Sequence, residues 1–269
     1  MEKLNHKDLL KAGVHFGHLT RKWNPKMSEY VFMEQNGIHL IDLNRTIDCA
    51  FTAVSSLKNI VKSGRKVMFV ATKKQAKDYV AKIAKKLNMP YVTERWLGGM
   101  LTNFSTIRKS LKKLSSIQTQ MSNDSFEDDF AKKEKLMISR ERDKLDKVLG
   151  GISSLSRIPA ALFIVDIKFE EIALKEARKL NLPIYALVDT NSDPNLVDFP
   201  IPANDDSFNS ISFIMDYIAN GIQKGIDERE QLKEEMRIKD EKEAALKEKK
   251  ATEKAMKEKK ESIKSKSSK

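Results

Sequence analysis

The 269-residue chain has a single cysteine, Cys49, which excludes an internal disulfide and any zinc site built on several thiolates, and suits a reducing compartment. The surrounding "RTIDCAFTAVSSLKNIV" has helical spacing and no histidine, so Cys49 reads as a packed helix residue rather than a nucleophile. The opening "MEKLNHKDLL" lacks the apolar core of a secretion signal, and no window approaches the ~18 uninterrupted apolar residues of a membrane span. No membrane partner and a cytoplasmic location are therefore expected. Neither Gly-x-Gly-x-x-Gly nor Gly-Lys-Ser/Thr occurs, which removes the usual glycine-rich cradles for nucleotide phosphates. The four histidines, His6, His15, His18 and His39, join no Ser-His-Asp or Cys-His arrangement, so catalysis is not expected.

Basic charge is abundant. Lys and Arg number 50 against 38 Asp and Glu, a net +12. The excess is not confined to the C-terminal stretch: residues 1 to 221 hold 34 Lys and Arg against 26 Asp and Glu. A folded part that is itself basic favours a polyanionic partner.

Three short apolar runs, "KVMFVAT" (66 to 72), "AALFIVD" (160 to 166) and "PIYALVD" (183 to 189), have strand length and the near-continuous hydrophobicity of parallel strands covered on both faces. "YVTE" after Pro90 and "FPIP" (199 to 202) add shorter strands, and "KKQAKDYVAKIAKKLN" and "KFEEIALKEARKLN" supply crossover helices. The expected fold is α/β: a flavodoxin-like, doubly wound and mainly parallel sheet. Asn36-Gly37 between apolar runs predicts a hairpin ahead of it. Residues 5 to 12 predict a short capped helix, and 13 to 27 an irregular segment.

Residues 104 to 149 interrupt this pattern with one narrow apolar seam on each of two charged helices: Ile107, Leu111, Leu114 and Met121, with Gln118 at the polar step, then Met137, Leu145 and Val148. A turn at "SNDSFEDD" makes this an inserted antiparallel α-helical coiled-coil hairpin projecting on the order of 30 Å. The expected organisation is a discontinuous α/β domain over 1–103 and 150–226, the hairpin over 104–149, and a charged, helical or disordered extension over 227–269.

"RWLGGMLTNF" opens the insertion, and its Gly-Gly pair before a helix start has the makings of an anion cradle. Cations interleave with aromatics here and upstream: Arg95, Arg108, Lys109, Lys112 and Lys113 with Trp96, and Arg21, Lys22 and Lys26 with Trp23. Such sets suit RNA, cations meeting phosphate, aromatics stacking on bases, and Asn24 or Asn103 reaching the 2′-hydroxyl side. Lys73 and Lys74, at a helix start where they repel the dipole, call for an anion in front of them, and Thr72 is the expected cap. The alternative is a cytosolic α/β enzyme or sensor that binds a phosphorylated small molecule at "KK" or "LGGMLTN". His18 with Asp189, Asp193, Asp205 and Asp206 admits a metal or acid-base reading, although "DTNSDPN" equally has the composition of Asx-turns.

"LLKAGVHFGHLTRKWNPKM", "ERWLGGMLTNFSTIRKS", "KLDKVLGGI" and "IYALVDTNSDPNLVDFPIPANDD" resemble, in order and across about residues 4 to 226, the bacterial small-subunit ribosomal protein two family. The resemblance implies a non-catalytic protein bound to small-subunit ribosomal RNA between head and body, which helps to dock the large mRNA-binding protein one and needs no homo-oligomer. It places the RNA contacts in the two basic-aromatic segments. It implies no required cofactor, with a divalent metal in some members at the positions of His18, Asp189 and Asp206. The extension beyond 226 departs from the family pattern.

Overall fold

The computed structural model describes residues 4–122 and 131–266, with side chains described through residue 239. The chain divides into two units, Met1–Gly225 and Ile226–Lys269.

The first unit begins with helix α1 (His6–Lys11), capped by the Asn5 side chain, which accepts from the Lys7 N–H at 3.1 Å. Three strands follow, β1 (Phe16–Leu19), β2 (Val31–Gln35) and β3 (Ile38–Ile41), as an antiparallel sheet ordered β1-β3-β2. Asn36 and Gly37 turn the hairpin with φ of 53° and 72°, the positive values for which that dipeptide is suited. The segment expected to be irregular thus supplies β1. Its four residues, two of them polar or glycine, carry no periodic signal, and they form a strand because β3 offers an edge, with Phe16 opposite Leu40 and Leu19 opposite Ile38.

The second sheet contains β4 (Val67–Val70), β5 (Tyr91–Val92), β6 (Ala161–Val165), β7 (Ile184–Val188) and β8 (Phe199–Pro202), all parallel, in the order β5-β4-β6-β7-β8. Counted from β4, that is the 2-1-3-4-5 order of a flavodoxin-like sheet, whose chain reverses direction of winding between β4 and β6. Every residue of β4, β6 and β7 is buried, as their continuous apolar runs require.

One face of this sheet presents Met68, Val70, Leu162, Ile164, Ala186 and Val188 to Ala173, Leu174 and Ala177 of helix α6 (Glu171–Lys179) and to Trp96, Met100, Leu101 and Leu149. The opposite face carries Phe69 and Phe163, ring centroids 5.7 Å apart, and Tyr185, whose hydroxyl shares a 2.5 Å hydrogen bond with Ser56 of helix α2 (Leu43–Lys62). Helix α3 (Lys74–Lys86) is tied through Tyr79, which donates to Asp216 at 2.7 Å, to helix α7 (Phe208–Lys266). Both faces are therefore covered, and each fully buried aromatic stabilises the fold by roughly 1.5–3 kcal/mol.

Helices α4 (Phe104–Met121) and α5 (Lys132–Leu149) form the insertion and pack on one another, with Lys113 paired to Glu141. Ile107, Leu114 and Ile117 are buried, so Ile117 takes the step assigned to Gln118; both positions satisfy the 3–4 spacing, and the apolar one turns inward. Met137 is 62% exposed, whereas Ile138, seven residues before Leu145, is half-buried. A seven-residue step keeps the seam on one side of the helix and the eight-residue step from Met137 does not. The turn expected at 122 to 129 lies almost wholly outside the described residues.

The second unit is helical to Lys266. Its side chains from Glu230 to Lys239 are all exposed, with Arg237 paired to Glu234 at 2.9 Å.

Candidate nucleic-acid interface and the carboxyl-edge cluster

The carboxyl ends of β4 and β6 flank the point where winding reverses, the place where flavodoxin-like sheets hold their ligands. Here that crevice is filled from within. Lys73, which follows β4, places its ammonium 3.2 Å from Asp166 after β6, 2.8 Å from Asp205 and 2.6 Å from Asp206. Glu170 accepts from the Thr72 N–H at 2.7 Å and from its hydroxyl at 2.5 Å. Lys73 itself, not Thr72, is the residue at the α3 N-cap. Asp166, at φ 64°, folds back to accept from the N–H groups of Lys168 and Phe169 at 3.0 and 3.1 Å, which aims its second oxygen at Lys73. The expectation that Lys73 meets an RNA phosphate is thereby corrected: the anion it needs is supplied by three aspartates. Burial opposes its charge, yet Asp205 and the other carboxylates raise its pKa overall. Lys74 is exposed beside it.

His18 reaches the same cluster because Gly17 lets β1 lie against the loop after β7. A Cβ at Gly17 would sit 2.6 Å from Thr190 Cγ2, and the Thr190 Oγ1 accepts the His18 N–H at 2.8 Å. The imidazole stands with Nδ1 3.0 Å from Asp189 and Nε2 3.4 Å from Asp206 and 3.0 Å from the Asn191 amide nitrogen. Its pKa is raised, chiefly by the hydrogen bond that it donates to Asp189. Asp205 is fully buried, its pKa is pushed up to about 7 by burial and by Asp189, and its Oδ2 has no hydrogen-bond partner. His18, Asp189 and Asp205 bring one ligand atom apiece within 4.8 Å of one another. The three ligand atoms that lie close enough together to hold a cation thus include Asp205 and not Asp206, whose carboxylate is held by Lys73 with its pKa lowered despite partial burial. The orphaned buried oxygen and the nitrogen-oxygen donor set both fit a divalent ion.

The two basic segments have different fates. In the first, Arg21, Lys22 and Lys26 are exposed, and Lys26 pairs with Asp193 at 2.6 Å. Trp23 is half-buried with its ring 4.6 Å from His39, and Asn24 is occupied as a cap, accepting from the Lys26 N–H at 3.0 Å. In the second, Arg95, Arg108, Lys109, Lys112 and Lys113 are exposed, and Asn103 accepts from the hydroxyls of Ser105 and Thr106 at 3.2 and 3.0 Å. Trp96 does not offer a face to a base. It is 5% exposed and its indole N–H donates to Glu176 at 3.1 Å, so it is corrected to a core residue.

Glu176 is the residue that sequence reasoning missed. Its two carboxylate oxygens also accept the N–H groups of Gly99, Leu101 and Thr102, at 2.6, 2.9 and 3.1 Å, and the Thr102 hydroxyl at 3.2 Å. Burial works against its ionised form, but these donors hold its pKa below the usual carboxylate range. The Gly-Gly turn is an anion cradle after all, and its anion is a side chain of α6. Nothing in "LKEARKL" distinguishes Glu176 from the exposed charges around it, since the signal lies 75 residues away in the unpaired N–H groups of the turn.

The family model for ribosomal protein S2 matches residues 9–225. The chain is 60% identical over 243 residues to the small ribosomal subunit protein uS2 of Cytophaga hutchinsonii, covering 90% of this chain and 95% of that protein. It is 57% identical over 227 residues to the protein of the same name from Flavobacterium johnsoniae, covering 84% and 89%, and 57% identical over 215 residues to that from Chlorobium phaeovibrioides, covering 80% and 83%. With a flavodoxin-like sheet, an insertion rooted on a carboxylate-clamped Gly-Gly turn and this extent of identity, the chain belongs to the ribosomal protein S2 family, whose members are structural and not enzymes.

Proposed function

We propose that this protein is a structural component of the small ribosomal subunit that binds small-subunit ribosomal RNA through exposed cations at the root of the insertion. The observation that carries this reading is the row Arg95, Arg108, Lys109 and Lys112, exposed around a turn made rigid by Glu176. Helices α4 and α5 act as the arms of a coiled-coil hairpin that extends this row. Arg21 and Lys22 form a second contact beside the carboxyl-edge loops. The phosphorylated-ligand alternative is disfavoured by four carboxylates, Asp166, Glu170, Asp205 and Asp206, gathered where such a ligand would bind.

Docking of the mRNA-binding protein one has a candidate surface on the three-stranded sheet. Phe16, Leu19 and Met33 are 48%, 43% and 47% exposed on one side of it, with Phe32 71% exposed beside them. An exposed apolar sheet face of this kind is a usual protein-contact surface. His18, Asp189 and Asp205 hold a divalent cation that joins β1 to the loops after β7 and β8. Such an ion supplies positive charge to a buried acidic cluster and no reaction chemistry. Elemental analysis of dialysed protein should find a metal that is lost in D205N.

Competition for small-subunit assembly tests the main reading. Tagged chain should co-sediment with small subunits in a sucrose gradient and cross-link to their RNA; migration as free protein with no such RNA recovered refutes it.

A further inference from the structure

The opposite edge of the parallel sheet carries a concavity that none of the segments above accounts for. The loops leading into β4, β6 and β7 enclose about 550 Å³ lined by Arg65, Lys66, Ser154, Ser156, Arg157 and Asn181, among others. No carboxylate lines it. Several cations elsewhere on the first unit meet acids: Lys26 pairs with Asp193, Lys77 and Lys147 with Glu94, Lys113 with Glu141 and Lys175 with Glu171. Here, among the described residues, the Arg65 guanidinium bonds only to the neutral Ser63 hydroxyl, at 3.1 Å, and Lys66 and Arg157 have no acidic partner. Asp198 lines the adjacent concavity, where its Oδ2 accepts the Ile184 N–H at 2.8 Å.

The backbone under this patch is fixed. Gly64 turns at φ 83° and Asn181 at φ 51°, and the Ala160 N–H donates to the Lys66 carbonyl at 2.9 Å, joining two of the loops before the strands begin. The side chains of Arg65 and Arg157 are exposed from this rigid base.

We propose that the amino edge of the sheet, through Arg65, Lys66 and Arg157, is a further RNA-backbone contact, separate from the root of the insertion and from Arg21 and Lys22. Three unneutralised cations around a concave surface with two hydroxyls match successive phosphates of one RNA strand, because guanidinium groups clamp phosphate oxygens and serine hydroxyls complete their hydrogen bonding. An extended polyanion also suits a site whose charges come from two loops rather than converging on one point. The inference rests on the ribosomal-RNA reading above and adds to it a location.

The test measures binding of the full chain to a small-subunit ribosomal RNA fragment as a function of salt. The variant R65A/K66A/R157A is compared with wild type and with K82A/K85A/K86A, which removes equal charge from exposed positions of α3. Each lost phosphate contact lowers the slope of log affinity against log salt by about 0.7–0.9. Three contacts make wild type lose a further factor of about 20 to 40 over a fourfold rise in salt, relative to the amino-edge variant. The α3 variant should keep the wild-type slope. Circular dichroism and thermal melting of each variant establish that the domain is folded. Wild-type binding with an unchanged slope in the folded amino-edge variant, or an equal fall in both variants, overturns the inference while leaving the root contact intact. Absence of salt-dependent binding by wild type overturns the ribosomal-RNA reading itself. Stabilisation of wild type by inorganic pyrophosphate, lost in the amino-edge variant without any change in RNA binding, assigns the site to a small anion and likewise overturns it.

Discussion

Replacing Glu176 by Gln keeps the shape of the side chain and removes the charge on which the root of the insertion is organised. Five donors converge on its oxygens, two on Oε1 and three on Oε2. A glutamine retains one oxygen and turns an NH₂ toward the donors of the other, so at least two bonds are lost and the rest become neutral. Hydrogen bonds to a charged group contribute about 1.5–3 kcal/mol each, and buried donors left unpaired cost about 1–3 kcal/mol. With partial relaxation of the turn, the expected loss is about 3–5 kcal/mol, a large share of the ~5–15 kcal/mol typical of a domain. Urea unfolding at neutral pH, followed by tryptophan fluorescence, measures it. E171Q is the comparison: Glu171 is exposed, it pairs with Lys175 at 2.6 Å, and its loss should cost no more than about 0.5 kcal/mol.

Acid gives an independent reading of the same group. Because the folded pKa of Glu176 is lowered, its stabilisation is fully present above the unfolded carboxylate value of about 4.3 and is lost as pH falls through the folded value. The deficit of E176Q relative to wild type should therefore shrink on acidification. A loss below about 1 kcal/mol at neutral pH, or a deficit that grows in acid, would refute the carboxylate clamp.

The two glycines of the turn should separate cleanly. A Cβ on Gly98 meets nothing within 4 Å, so G98A should change stability by less than about 0.5 kcal/mol, whereas G99A places a side chain at φ 87° and 3.1 Å from Asn103 Cβ and should cost about 1 kcal/mol or more. G151A should be worse, since its Cβ would stand 2.3 Å from the Tyr91 carbonyl oxygen; about 1–3 kcal/mol is expected in the same urea assay. R95A should enter small subunits less well than wild type in a mixed expression experiment while its circular-dichroism spectrum is unchanged; equal incorporation counts against the RNA role of Arg95. Truncation after Gly225 should leave the thermal midpoint of the first unit in place, because its core residues end at Ile222.

The parallel sheet was legible because its strands are buried on both faces and announce themselves as apolar runs; "VMFV", "ALFIV" and "IYALV" need no partner to be recognised. The hairpin at Asn36-Gly37 was legible from local backbone preference. What escaped was non-local. β1 exists because β3 is beside it, Trp96 is buried because Glu176 is there to accept its N–H, and Lys73 is neutralised by residues 93 to 133 positions later. A lysine in a strand-to-helix turn carries the same local signal whether its anion is a ligand or an aspartate. His18 and Asp189 were grouped from residue type and place in the sequence and then by resemblance, and the choice between Asp205 and Asp206 depended on which of two adjacent carboxylates turns inward.

That inward turn explains where binding can occur in this fold. In a flavodoxin-like sheet the carboxyl edge is the ligand edge, because loops diverge there and leave a crevice. Here the crevice holds Lys73 among Asp166, Asp205 and Asp206, and His18 fastens the N-terminal sheet over it. The local field is negative, since the aspartates and Glu170 outnumber the cations, and a phosphate placed there would meet carboxylates at close range. The edge that such sheets commonly use for nucleotides is here a joint between two sheets, and the proposed RNA contacts lie outside its crevice. Among the described residues, the insertion root and the amino edge both carry cations with no acidic partner, whereas Lys73 at the ligand edge is held by three aspartates.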